Sequence, residues 1–332
     1  MIVRRQFCVA TVALVFLVGR VRPIEAQATD IDLGAVILSI SDSRTAQVFH
    51  IVDQLSQWDR YTHKAYVRWA STRLALTAED GLLLERHAEL RRARGWGNGF
   101  EQAFLVEEPI ESAAQRAIDL GILSAEESAA EQAILLHFAP KIEPLRLEQA
   151  PRMAEFRRRL AEDRVRLTDL AGQIARFAGV ARTVRIPVFL VPNPETASGG
   201  GGANGGRLVV EVPSADPMGF LLHETLHVLL APHGEAIRAA ADSAGTPWST
   251  LNEAIAYAFA PGITSEDEES DYLAEQIARF MRRGTPPSDP YVQSYTMAIV
   301  IRPLLRACLE QRESLAIFLP RAVDRWRGVA AR

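Results

Sequence analysis

His223, Glu224 and His227 are the residues whose types and spacing could do chemistry together, as the stretch His223-Glu224-Thr225-Leu226-His227 reads H-E-x-x-H. On an α-helix, residues four apart lie one above the other, so both imidazoles can address a single ion. Glu224 falls on an adjacent part of the same surface, where its carboxylate reaches a water beside that ion rather than the ion itself. Two neutral histidines and a carboxylate base are the parts needed for zinc-assisted hydrolysis. The bland reading is a helix with two unrelated histidines on one face. It is weakened by the apolar flanks, where unliganded polar groups are costly.

Catalytic zinc takes three protein ligands and keeps one position open. Two residues downstream offer the third. Glu253 stands in Leu251-Asn252-Glu253-Ala254-Ile255-Ala256-Tyr257, and His233 lies six residues beyond His227. Ligand type and helical context favour Glu253, with His233 as the alternative. The metzincin pattern, which recruits a later histidine, has glycine where this chain has Leu230.

The elements that must position these groups can be read locally. Asp216-Pro217 is an N-cap followed by proline at the first helical position, and Pro232 closes the helix that carries the motif. Before it, residues 184–191 read as a strand, with Pro187 pointing to an edge or a bulge. Residues 207–212 alternate as a second strand, the expected seat for an extended peptide by strand addition. The glycine-dominated run 198–206 leads into that strand rather than into a helix, and it lacks a Gly-Lys-Ser/Thr ending. It is therefore no phosphate loop but a flexible connection between strands. Asp289-Pro290 opens a late helix containing Pro303, and a terminal helix follows.

Upstream the pattern is helical. Residues 31–40 are apolar and ambiguous between strand and short helix. Thr77 with Asp80 and Ser124 with Glu127 resemble capping boxes, the second for a helix ending at Pro140. Gly95-Trp96-Gly97-Asn98-Gly99 reads as a turn, and Pro151 opens the longest expected helix, to Gly179. His50, His63, His87 and His137 read as surface or satisfied core histidines. His87 beside Glu85 and Glu89 has no paired histidine to make a metal site.

At 332 residues with 48% hydrophobic and 23% charged, the chain can bury a sizeable core. Its net charge of -4, with dispersed arginines, gives no reason to expect nucleic acid as a partner. Residues 1–28 read as a signal peptide, with Arg4 and Arg5, an apolar run to Gly19, and Ala26-Gln27-Ala28 as the cleavage site. That implies an exported protein, periplasmic or secreted, without stable membrane insertion after cleavage. Cys308 would be its single cysteine, so no intrachain disulfide is expected.

H-E-x-x-H followed by an N-E-A-x-A-Y helix resembles the gluzincin metallopeptidases, in particular the alanyl and glycyl aminopeptidase relatives. The resemblance covers roughly residues 184 to 305. It implies one zinc ion held by His223, His227 and Glu253, with Glu224 as general base. It also implies a tyrosine supporting the oxyanion, for which Pro290-Tyr291-Val292-Gln293-Ser294 nominates Tyr291, with Tyr295 as its rival. The implied fold is α+β and mostly helical. A helical region, 29–180, precedes a zincin-like core, 181–332, whose small sheet adjoins the motif helix. No G-x-M-E-N segment is present to anchor a free α-amine, so exopeptidase specificity does not carry over. The expected activity is peptide hydrolysis on a peptide or unfolded protein. A secreted metal-binding scaffold without turnover and a non-peptide zinc amidohydrolase are the alternatives.

Overall fold

The computed structural model describes residues 28–60, 62–95, 99–195, 200–214, 216–264 and 272–330. The expected signal peptide as far as residue 27, the centre of the 95–99 turn, the opening of the glycine run and the acidic run at 266–271 lie outside them. The fold is α+β and mostly helical, with one small mixed sheet.

The chain begins with β1 (Thr29–Asp32) and β2 (Val36–Ser41), so the ambiguous segment at 31–40 is a pair of strands. Seven helices follow: α1 (Arg44–Ser56), α2 (Lys64–Arg73), α3 (Ala78–Arg92), α4 (Phe100–Phe104), α5 (Ile110–Asp119), α6 (Ala125–Glu162) and α7 (Arg164–Phe177). Next come β3 (Val184–Pro192), β4 (Gly201–Asn204) and β5 (Arg207–Val212). The rest is helical: α8 (Pro217–Leu230), α9 (Gly234–Ala244), α10 (Trp248–Phe259), α11 (Tyr272–Arg282), α12 (Pro290–Glu310) and α13 (Leu315–Ala330). Both capping boxes form, with Thr77 accepting from Asp80 N and Ser124 from Glu127 N.

The strand order is β1-β2-β3-β5-β4, with β2, β3 and β5 parallel and the two outer strands antiparallel to their neighbours. Strands from before and after residue 180 thus share one sheet. Alternate residues of β3 face opposite sides, as the period of two demands. Ile186, Val188 and Leu190 join a core under α7, α8, α10, α12 and α13. Phe189 and Val191 join a second core with α1, α3, α4, α5 and α6. Buried on both faces, the sheet is the floor on which α8 rests.

Three local expectations change. The helix opened by Ser124 does not stop at Pro140; α6 runs 38 residues through Pro140, Pro144 and Pro151 and ends at Asp163. Each proline removes a backbone hydrogen bond, but Phe138, Ile142, Leu145, Met153 and Phe156 bury a continuous stripe that holds the helix together. Pro187 lies in an interior strand rather than an edge strand. It pairs with Ser39 on one side, and the β5 ladder starts only at Val188, so the missing N–H meets no partner strand there. Part of the glycine run is itself a strand. Gly201–Asn204 pairs with β5 through a turn at Gly205 and Gly206, both at positive φ.

The histidines of the first half are all engaged. His87 is fully buried, with Nδ1 2.9 Å from Glu131 and Nε2 3.1 Å from Asp53 rather than near Glu85 or Glu89. His50 and His63 each lie 2.9 Å from an oxygen of Glu211 on β5, tying the helical layer to the sheet. His137 is 2.6 Å from Asp80. Among the described residues no helix is long and apolar enough to cross a membrane.

Candidate metal centre

Helix α8 is the element that makes the site. Asp216 caps it by accepting from Gly219 N at 2.7 Å. A side chain at 219 would collide with that carboxylate, since a Cβ there would stand 2.0 Å from Asp216 Oδ2. Leu221, Leu222, Leu226, Leu229 and Leu230 bury the apolar stripe. Packing therefore leaves His223, Glu224 and His227 together at one edge of the helix.

The two imidazoles turn their Nε2 atoms to 3.1 Å from one another. Helix α10 brings Glu253 to them, with Oε2 3.4 Å from His223 Nε2 and Oε1 3.4 Å from His227 Nε2. Ligands about 2.05 Å from a tetrahedral zinc stand about 3.3 Å apart, so the Nε2 separation matches a zinc site, with one Glu253 oxygen close to each ring. Among the described residues this is the one group of three that could hold a metal ion. His233 does not join it. Its Nε2 lies 2.6 Å from the Ala178 carbonyl at the end of α7.

The far nitrogens of both rings are held as well. His223 Nδ1 lies 3.2 Å from the Ala260 carbonyl, which can only accept, so that proton sits on Nδ1 and the Nε2 lone pair is free for an ion. His227 Nδ1 lies 3.0 Å from the Asn252 side-chain amide. The amide atom placed there is Nδ2; with the amide's oxygen and nitrogen exchanged, the oxygen would accept from Nδ1–H and fix the same tautomer.

Electrostatics favour a cation. Burial pushes the His227 imidazole down, but the Glu253 carboxylate outweighs it and the pKa stands at about 9. Burial alone would raise Glu253, yet the two histidines hold it well below the usual carboxylate range. Its side chain is still 36% exposed, so the centre opens to solvent on that side. Burial raises Glu224, opposed by the histidines and by a hydrogen bond from the Ala203 backbone N–H.

That last contact comes from the sheet edge. Glu211 N–H donates to Gly200 O at 3.0 Å, so by antiparallel alternation Gly202 and Asn204 also turn to β5. Gly201 and Ala203 turn their backbone groups outward, toward the side where Glu224 lies. At Gly201 only glycine fits, because a Cβ would come 2.5 Å from Val209 O. Strand β5, the expected seat for a peptide, is paired on both sides and has no free edge.

The two candidate tyrosines separate. Tyr291 is 38% exposed and stacks on Phe280 at 6.0 Å. Tyr295 is 7% exposed, and its ring lies 4.5 Å from Tyr257, which lies 4.5 Å from His223. The Tyr257 and Tyr295 hydroxyls are hydrogen-bonded to each other. Asn252, Tyr257, Ala203 and the Ala260 carbonyl escaped the reading from sequence. Tyr257, four residues beyond Glu253 on the same helix face, and Asn252 beside Glu253 carried a local signal in N-E-A-x-A-Y.

No known protein family, curated protein or solved structure matches this chain.

Proposed function

We propose that the chain is an exported zinc-dependent peptidase of gluzincin type, with one ion held by His223, His227 and Glu253. The observation that carries this reading is the three-ligand group open to solvent, with a buried carboxylate beside it. A closed structural site would have four protein ligands and no use for Glu224.

A zinc ion in that group supplies Lewis acidity and lowers the pKa of water to about 7. Glu224 takes the proton from the attacking water as the C–O bond forms, then hands it to the amine as the C–N bond breaks. Tyr295, linked to the ligand His223 through the Tyr257 ring, gives its O–H to the developing oxyanion. The Ala260 carbonyl keeps His223 in the tautomer that presents Nε2, and the Asn252 side chain holds the far nitrogen of His227. Gly201 on the outer edge of β4, rather than β5, pairs with the backbone of an extended peptide.

The test is cleavage of an unfolded protein by the purified chain with and without a chelator. Cleavage abolished by the chelator and restored by zinc supports the reading. Zinc bound without cleavage of any peptide would favour a metal-binding scaffold, and hydrolysis confined to non-peptide amides would favour the amidohydrolase.

A further inference from the structure

Tyr257 touches both halves of the site. It lies on α10 one turn beyond Glu253, so the helix that delivers the carboxylate also delivers this ring. Its ring centroid is 4.5 Å from that of His223 at 50°, and 4.5 Å from that of Tyr295 at 41°. Packing alone would be served by phenylalanine, since a phenol in a mostly buried place costs stability unless its hydroxyl is bonded. Here that hydroxyl is bonded, to Tyr295. A phenol oxygen that accepts one hydrogen bond keeps its own O–H to give. With Tyr257 as the donor of that bond, Tyr295 is left to donate to a third group, and the residue that orients it leans on a metal ligand.

Building on the peptidase reading, we propose that Tyr257 is a positioning residue whose hydroxyl aims Tyr295 at the reacting carbonyl while its ring fixes the plane of His223. Two jobs in one side chain can be separated by substitution. Tyr257→Phe removes the hydroxyl and keeps the ring; Tyr257→Leu removes both.

The experiment compares Tyr257→Phe, Tyr257→Leu, Tyr295→Phe and the double variant Tyr257→Phe/Tyr295→Phe. Two readouts are used: kcat and KM on an unfolded protein, and the visible spectrum of the cobalt-loaded chain titrated with acetohydroxamic acid. Tyr257→Phe is expected to keep the cobalt spectrum and KM of the wild type while kcat falls about tenfold, part of the worth of one oxyanion donor. Added to Tyr295→Phe, it should cost nothing further, because the group it acts through is already gone. Acetohydroxamate should bind about 3- to 10-fold more weakly to each single variant and no more weakly to the double, the scale of one net hydrogen bond. Tyr257→Leu should alter the cobalt spectrum as well. Effects that multiply in the double variant, or a Tyr257→Phe protein equal to wild type in both readouts, overturn the proposal. If the wild type cleaves no peptide, the peptidase reading falls, and the acetohydroxamate cycle still decides the pairing.

Discussion

The Nε2 atoms of His223 and His227 face each other at 3.1 Å, a separation that two lone pairs hold only with a proton or an ion between them. Glu253 closes the triangle at 3.4 Å from each. With a pKa of about 9, the His227 imidazole of the metal-free chain holds a proton at neutral pH. Zinc must displace that proton, so metal affinity should rise with pH by up to about tenfold per unit until pH approaches 9. Competition titration of zinc against a chelator at several pH values measures this, and a flat profile would contradict it.

Removing ligands should separate Glu253 from His233. Glu253→Ala is expected to lower zinc affinity by at least about tenfold, on the scale seen when even supporting groups of a metal site are lost. His233→Ala should leave one zinc per chain, because its ring is committed to the Ala178 carbonyl. Metal content after dialysis, read by elemental analysis, decides between them.

Glu224→Gln keeps the shape of the side chain and loses its basicity. The variant should bind zinc as the wild type does and lose about 10²- to 10⁴-fold in kcat, the usual worth of a general base. Peptide hydrolysis left intact with zinc bound would refute the role given to Glu224.

Ala203→Pro deletes the N–H that reaches Glu224 while leaving the β5 side of the strand paired. We expect normal zinc content, an unchanged thermal midpoint within a few degrees, and kcat/KM reduced by about tenfold or more. That is the scale of one hydrogen bond to a carboxylate. Activity equal to wild type would show that the edge of β4 has no part in the reaction.

The buried His87 offers a stability test away from the site. Burial opposes its charge, but Glu131 and Asp53 prevail and raise it from 6.5 to about 9. A histidine raised on folding stabilises most below its unfolded pKa, and that contribution is lost as pH climbs through the folded value. Stability to urea should therefore decline between about pH 6.5 and 9, and His87→Gln should flatten that part of the profile. A wild-type profile that rises over this range would contradict the charged state of His87.

What the sequence determined by itself was local. The i, i+4 placement of His223 and His227 follows from helical geometry, and Asp216, Thr77 and Ser124 cap their helices through neighbours three residues away. Tertiary structure decided everything that depends on distant chain segments meeting. Glu253 rather than His233 reaches the imidazoles because α10 packs against α8, while the turn after α8 carries His233 back to α7. Gly201–Asn204 has no side-chain pattern to announce a strand; pairing with β5 makes it one and leaves it as the free edge. The prolines of α6 look like helix ends in isolation, and the buried stripe on both sides of them carries the helix through. Sequence periodicity reports which face of an element is apolar, whereas only packing settles which faces meet, and a three-ligand centre exists only where they do.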